Sequence, residues 1–409
     1  MKYILIVILS QVLLSCSFED EEENKVLEKN NPYTITEQTF RLDFRPTARA
    51  SHVYTDYRKD ESLVYFSDFV SAKKMSFFDL EGKHQFSVEV DSLVNTGVEI
   101  LDAFVQHQDT IFLLENHSKN LYELDSTGSV RGFNAMDNYK SDLINEYRSS
   151  IYATFGSNRF SNCFYFSNEL SIENEFNAKD GVERIDRLKK YYNISRKEPA
   201  LISVSFIEGQ DKKQIEYKPI FRDVQSEYAE TDDFLFEFSY YYISERYIFL
   251  ASWYSDNVFV YDRIEDRRLK NILIESNYTA IGAIPPFKIN KENLEKTQSL
   301  LDQRGKFNGR IMRVFYDDNK NFLYVLVEHE LKGRSSKENL AVRPWSLIVY
   351  NEDFEKVYEK AFEQGVYRMT FTKLTPRGLM ILQQDKEQYE KNKRSEEKLY
   401  TFDIFDFDL

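Results

Sequence analysis

Few residues in this chain have the types and spacing that chemistry needs, and Cys16 has the most specific neighbourhood. Met1-Lys2 opens the chain, an apolar run follows from Tyr3 to Leu14, and Leu13-Leu14-Ser15 leads into the thiol. A cationic start, a short apolar run and a small residue before the cut make a secretory signal. The run is too short to span a bilayer, which takes about 20 residues. A thiol here can carry a diacylglycerol as a thioether, so Cys16 is expected to become a lipidated N-terminus. Several acyl chains anchor stably where one is marginal. The other cysteine, Cys163, lies in the aromatic stretch Phe160 to Phe166 and reads as a small buried apolar group. Two cysteines exclude a disulfide framework and a Cys-based zinc site.

The remaining search for chemistry returns little. G-x-S-x-G, H-E-x-x-H, G-x-G-x-x-G, the phosphate loop and the EF-hand loop are all absent. Asp317-Asp318-Asn319 could gather oxygens around calcium, but between two apolar runs it reads as a hairpin turn. Asp403, Asp406 and Asp408 read as solvent-facing or terminal charges. The tyrosine runs Tyr191-Tyr192 and Tyr240-Tyr241-Tyr242 read as strand packing. No catalytic residue, metal ligand or cofactor site is assigned. With 54 Lys and Arg against 68 Asp and Glu, the formal charge is −14, which argues against nucleic acid as a partner.

The elements that must position any site are strands. The chain of 409 residues holds 33 Phe and 28 Tyr but only 13 Gly and 8 Pro. From residue 33 onward short runs rich in Phe, Tyr, Val and Ile dominate, with a period near two. A unit recurs: strand, polar gap, strand ending in an acid or amide, tight turn, strand. Its anchors are Asp79, Asp125, one within 205–211, Asp262, Asn351 and Asp403. They recur at multiples of about 45 residues, the spacing of β-propeller blades. The anchor's side-chain oxygen can cap the turn, and Gly82 and Gly128 supply positive φ. The expectation is an all-β propeller of six blades, with seven compatible with the looser spacings, and with short helical insertions. Helices are expected at Val182 to Tyr192 and Asn290 to Gln303. Ile35 to Phe44 is expected to join the last blade and close the ring.

Residues 1–15 thus read as a lipoprotein signal peptide, 16–32 as an acidic tether and 33–409 as the propeller. Leu13 to Cys16 resembles the bacterial lipobox. The run Glu19 to Glu23 cannot pack and must be solvated. It is similar to the export signal of Bacteroidetes surface lipoproteins. Tyr65-Phe66-Ser67-Asp68, Phe77-Phe78-Asp79-Leu80, Asp109 to Phe112, Leu124-Asp125 and Gly128 resemble Bacteroidetes propeller lipoproteins that carry a domain of unknown function. Tyr316-Asp317-Asp318 and Ile348 to Phe354 do so too. The resemblance implies an outer-membrane lipoprotein displayed at the cell surface, and it implies no catalytic residues.

In a propeller the second-to-third and fourth-to-first connections share one face. Here the third-to-fourth turns are short, whereas the second-to-third loops are varied and sometimes long. Insertions concentrated on one face of a repeat fold mark its binding face. Asp68, Asn116, His117, Trp253, Asp256, His329 and Trp345 are therefore expected to gather there, for a glycan or for an envelope protein complex. The function expected is a non-catalytic binding or scaffold subunit held to the membrane by lipid on Cys16. The alternative is a glycan lyase or hydrolase using carboxylates on that face.

Overall fold

Each repeat folds as a four-stranded antiparallel meander. The computed structural model describes residues 32–47, 51–56, 61–115, 120–134, 149–153, 163–170, 201–208, 213–221, 239–252, 255–281, 308–330 and 343–409. The signal peptide, Cys16, the acidic run, both expected helices and the third turn lie outside these residues.

The first blade is β2 (His52–Asp56), β3 (Glu61–Asp68), β4 (Lys74–Phe78) and β5 (His84–Glu89). The second is β6 (Ile100–His107), β7 (Thr110–Glu115), β8 (Leu121–Leu124) and β9 (Val130–Asn134). The third is β10 (Ser149–Ala153), β11 (Cys163–Leu170), β12 (Leu201–Glu208) and β13 (Lys213–Ile220). The fourth is β14 (Ser239–Ile243), β15 (Tyr247–Ser252), β16 (Asn257–Asp262) and β17 (Arg267–Leu273). The fifth is β18 (Arg310–Asp317), β19 (Phe322–Glu328), β20 (Trp345–Tyr350) and β21 (Lys356–Phe362). The sixth is β22 (Tyr367–Thr375), β23 (Gly378–Gln383), β24 (Lys398–Phe407) and β1 (Tyr33–Leu42). The chain is a six-bladed β-propeller, as its spacing predicts.

The predicted turn chemistry is present. Asp79 Oδ1 accepts the N–H groups of Glu81 and Lys83 at 3.1 and 2.8 Å. Asp125 Oδ1 does the same for Thr127 and Ser129 at 2.9 and 3.1 Å. Asp262 Oδ1 takes Ile264 and Glu265, and Asn351 Oδ1 takes Asp353 and Glu355. Asp317 caps the β18–β19 turn through Asn319 and Lys320, which agrees with its reading as a hairpin. Asp403 departs from expectation. It is buried within β24, where Tyr367 Oη and Gln383 Nε2 donate to it, so it is not a solvent-facing charge. It closes no third-to-fourth turn, because the fourth strand of its blade comes from the other end of the chain.

That fourth strand is β1, paired with β24 from Tyr33↔Phe407 to Leu42↔Lys398. The pairing closes the ring and covers the edge of β24. The first strands lie innermost, where β14, β18, β22, β2 and β6 contact one another in turn. Apolar clusters fill the spaces between neighbouring blades, such as Leu63, Tyr65 and Phe77 against Ile100, Val105 and Ile111. Blades stacked face to face bury both sides of their middle strands, so every residue of β20 is buried.

Two helices occur among the described residues. One is the short turn α1 (Asp91–Val94), and the other is α2 (Lys386–Arg394) in the connection between β23 and β24. Asp385 caps α2 by accepting the N–H groups of Glu387 and Gln388 at 2.8 and 3.1 Å.

Candidate functional site

The second and third strands of each blade meet at one face, where the connections β3–β4, β7–β8, β15–β16, β19–β20 and β23–β24 leave and re-enter the sheets. The residues expected to gather there do not act alike. Asp68 is buried, and its carboxylate accepts the N–H groups of Val70, Ser71 and Ala72 at 2.9, 3.0 and 3.3 Å. It is therefore a loop cap and does not reach the surface. Asp256 is half-buried and accepts a hydrogen bond from its neighbour Asn257 at 2.7 Å. His329 is half-buried, with Nε2 at 2.6 Å from Ser346 Oγ and its ring stacked on Tyr278. Burial pulls the His329 imidazole below its ordinary pKa, against the Glu359 charge that raises it. Asn116, His117 and Trp253 lie outside the described residues.

Trp345 is 1 % exposed, and its ring stacks on Phe362 with centroids 4.3 Å apart. It forms part of the wall of a hollow of about 700 Å³ on the same face. The hollow lies between the fifth and sixth blades. The β23–β24 connection with α2 forms one side, and Glu328 and Arg343 of the β19–β20 connection form another. Arg45, on the way from β1 to β2, and the start of β22 complete it. Trp345 is thus the expected residue that this hollow brings in; Asp68, Asp256 and His329 do not line it.

The hollow's chemistry is aromatic, amide and basic. Tyr367, Tyr389, Tyr400 and Phe371 supply rings, and Gln383, Gln384, Gln388 and Asn392 supply amides. Arg45, Arg343, Arg368, Lys386, Lys393 and Lys398 supply cations. Tyr389 is held between two of these. The Arg45 guanidinium lies 5.6 Å from its ring centroid, and Lys393 Nζ lies 4.6 Å away. Arg368 lies 5.4 Å over the Phe371 ring. Asn392 pins α2 to β24, accepting from Leu399 N at 3.0 Å and donating to Leu399 O at 2.7 Å. Burial raises the Tyr400 hydroxyl above its usual pKa, so it stays a neutral donor.

The two acids that line the hollow are both engaged. Glu328 receives Arg310 at 2.8 Å and faces Arg343 at 3.7 Å. Asp385 caps α2. Sequence reasoning singled out the two connections but missed Arg45, Arg368 and the tyrosines. Arg368 reaches the hollow because β22 breaks register between Arg368 and Thr372, which no local sequence signal announces. Among the described residues, no three His, Cys, Asp or Glu side chains gather as metal ligands.

No family model matches the chain, and no curated protein matches it. Solved structures do. A member of the duf4221 family from Bacteroides vulgatus matches with a TM-score of 0.64 at 15 % identity, over 91 % of this chain and 97 % of that one. A Bacteroides fragilis protein assigned as exported matches with a TM-score of 0.47 at 9 % identity, over 90 % and 94 %. The β-propeller domain of Swd1 from Myceliophteria thermophila matches with a TM-score of 0.37 at 8 % identity, over 91 % and 99 %. Of these, the first is similar enough to speak to the fold. The chain is similar in fold to that duf4221-family protein over nearly its whole length, in keeping with the resemblance to Bacteroidetes propeller proteins of unknown function.

Proposed function

We propose that this chain is an outer-membrane lipoprotein, anchored through lipid on Cys16, that binds an acidic glycan in the hollow between its fifth and sixth blades. The observation that carries the reading is the lining. Six cations and two engaged acids surround rings and amides in a chain whose formal charge is −14. Flat rings suit the C–H faces of sugars, amides suit hydroxyls, and a guanidinium fork matches a uronate carboxylate. Chain direction supports the same reading. Tyr33 pairs with Phe407 and Leu42 with Lys398, so β1 begins at the face of the short turns and ends at the loop-rich face. A tether running from Cys16 to β1 would therefore attach opposite the hollow and would not obstruct it.

The alternative, a lyase or hydrolase working through carboxylates on this face, would draw on Glu328 and Asp385. Arg310 and Arg343 hold the first, and α2 holds the second, so binding is the better reading. The test is titration of the full chain, in detergent, with polygalacturonate and with neutral dextran of matched length. Polygalacturonate is expected to bind in a salt-sensitive way and dextran not to bind. Arg368→Ala and Tyr389→Ala are each expected to weaken binding about tenfold, roughly 1.4 kcal/mol. Equal binding of both polymers, or unchanged affinity in both variants, overturns the reading.

A further inference from the structure

The hollow has two unlike ends. Trp345 and Tyr367 pack in the apolar cluster between the fifth and sixth blades, whereas Phe371, Leu382 and Tyr400 pack in the one between the sixth and the first. All five line the hollow, and so do Lys398 to Thr401, four consecutive residues of β24. A strand turns successive side chains to opposite faces. From the gap between the fifth and sixth blades the hollow therefore continues over the top of the sixth towards the first. Packed sheets lie about 10 Å apart, so its length exceeds that spacing and suits a run of sugar rings.

The end towards the first blade is basic. Arg45 rests on Tyr389, with Nη2 3.4 Å from its hydroxyl, and Arg368 rests on Phe371. The charges of both arginines reach the Tyr400 hydroxyl. Both guanidinia are exposed and lie against rings, and neither has a carboxylate partner among the described residues. Lys393 stands over the same Tyr389 ring but is paired with Glu390 at 2.7 Å. The end towards the fifth blade carries no such surplus. Glu328 receives Arg310 and faces Arg343. Gln383 donates to Asp403 at 2.8 Å and to Glu37 at 3.3 Å, and the Tyr367 hydroxyl donates to Asp403. Arg310 and Arg343 there stand against the carboxylates of Glu328, Asp403 and Glu37.

We infer that the hollow reads a mixed glycan: one acidic sugar, its carboxylate gripped by Arg45 and Arg368, joined to uncharged sugars that extend towards the fifth blade. The inference rests on the reading of the hollow as an acidic-glycan site and narrows it. The guanidinium forks match a planar carboxylate in paired hydrogen bonds. A second carboxylate carried to the other end would meet the charges of Glu328 and Asp403, which repel it. A neutral ring meets no such repulsion, and its hydroxyls suit the amides and the tyrosine there.

The test is calorimetric titration of the full chain, in detergent and at fixed ionic strength, with three tetrasaccharides. They are aldotetraouronic acid (one methylglucuronate on three xyloses), tetragalacturonate and neutral xylotetraose. Aldotetraouronic acid is expected to bind at least fivefold tighter than tetragalacturonate, although it carries one carboxylate against four. Xylotetraose is expected to bind at least tenfold weaker than aldotetraouronic acid. Arg45→Ala, at an exposed position, is expected to cost about tenfold for aldotetraouronic acid and nothing for xylotetraose. In the wild-type chain, phenylglyoxal modification of Arg45 and Arg368, read by mass spectrometry, is expected to slow severalfold with aldotetraouronic acid and not with xylotetraose. Tetragalacturonate binding as tightly or more tightly, with Arg368→Ala still weakening both acids, overturns this inference and leaves the acidic-glycan reading standing. Arg368→Ala without effect on either acid removes that reading, and this inference with it.

Discussion

Burial pushes the Lys373 ammonium down to about 7, the Arg313 charge adds to the effect, and the Asp102 charge opposes it. An unfolded lysine titrates near ~10.4. Between these values the unfolded chain holds a proton that the folded chain lacks, so stability rises with pH across that window. Lys373→Met removes this titration. The variant is expected to be most favoured relative to the wild type at pH 6.5 and to lose that advantage steadily towards pH 9. Urea unfolding of both proteins at four pH values measures it, and a pH-independent gap would contradict the buried, depressed lysine. The same scale explains why single residues misled the sequence reading. Asp68 and Asp256 sit where the repeat grammar places them, yet their carboxylates serve neighbouring backbone and side-chain donors. Trp345 fills the wall between two blades. Position along a repeat is visible in sequence; whether a side chain turns to solvent or to a neighbour's N–H depends on partners that arrive from elsewhere.

The third-to-fourth turns show what is most legible. Gly82, Gly128, Asp266 and Phe354 all have positive φ, and all follow the anchoring Asp or Asn by three or four residues. Register shifts beside these turns mark a bulge in each hairpin. Gly128 has the least room, since a Cβ there would lie 1.9 Å from Glu89 O. Gly128→Ala is expected to destabilise the protein by about 2 kcal/mol, from strained backbone and displacement of the β5 end. A urea midpoint within error of the wild type would count against this. Turns, unit spacing and ring closure were readable because their chemistry lies within a few residues of chain. Middle strands were less so, because both their faces are buried and the alternation fades, as in β20. Helix α2 gave no apolar stripe at all. Apart from Tyr389 its residues Lys386 to Arg394 are charged or amide, and it is held by the Asp385 cap and by Asn392 on β24. The cations of the hollow come from three separate connections and one register break, and only the closed ring brings them together.

At the scale of the molecule, one pairing holds the ends of the chain together. Thr39 and Thr401 face each other across β1 and β24, with their hydroxyl oxygens 3.0 Å apart. Replacing both, Thr39→Cys with Thr401→Cys, is expected to give a disulfide that locks the ring. Because it closes a loop of nearly the whole chain, oxidised protein should gain up to about 5 kcal/mol over reduced protein. An equal unfolding midpoint with and without reductant would mean that closure is not what limits unfolding. The same ring bears on the lipid anchor proposed at Cys16. The seventeen or so residues from Cys16 to β1, fully extended, reach roughly 55–60 Å, enough to stand a propeller clear of a bilayer. They join the ring at the face of the short turns, so a lipid on Cys16, as proposed, would attach on the side opposite α2 and the hollow. If the lipid sits in the outer leaflet, Glu387→Cys on exposed α2 should react with a membrane-impermeant maleimide on intact cells, and the unsubstituted protein should not. Reaction only after the outer membrane is permeabilised would place the propeller in the periplasm. The hollow would then meet envelope glycans from within.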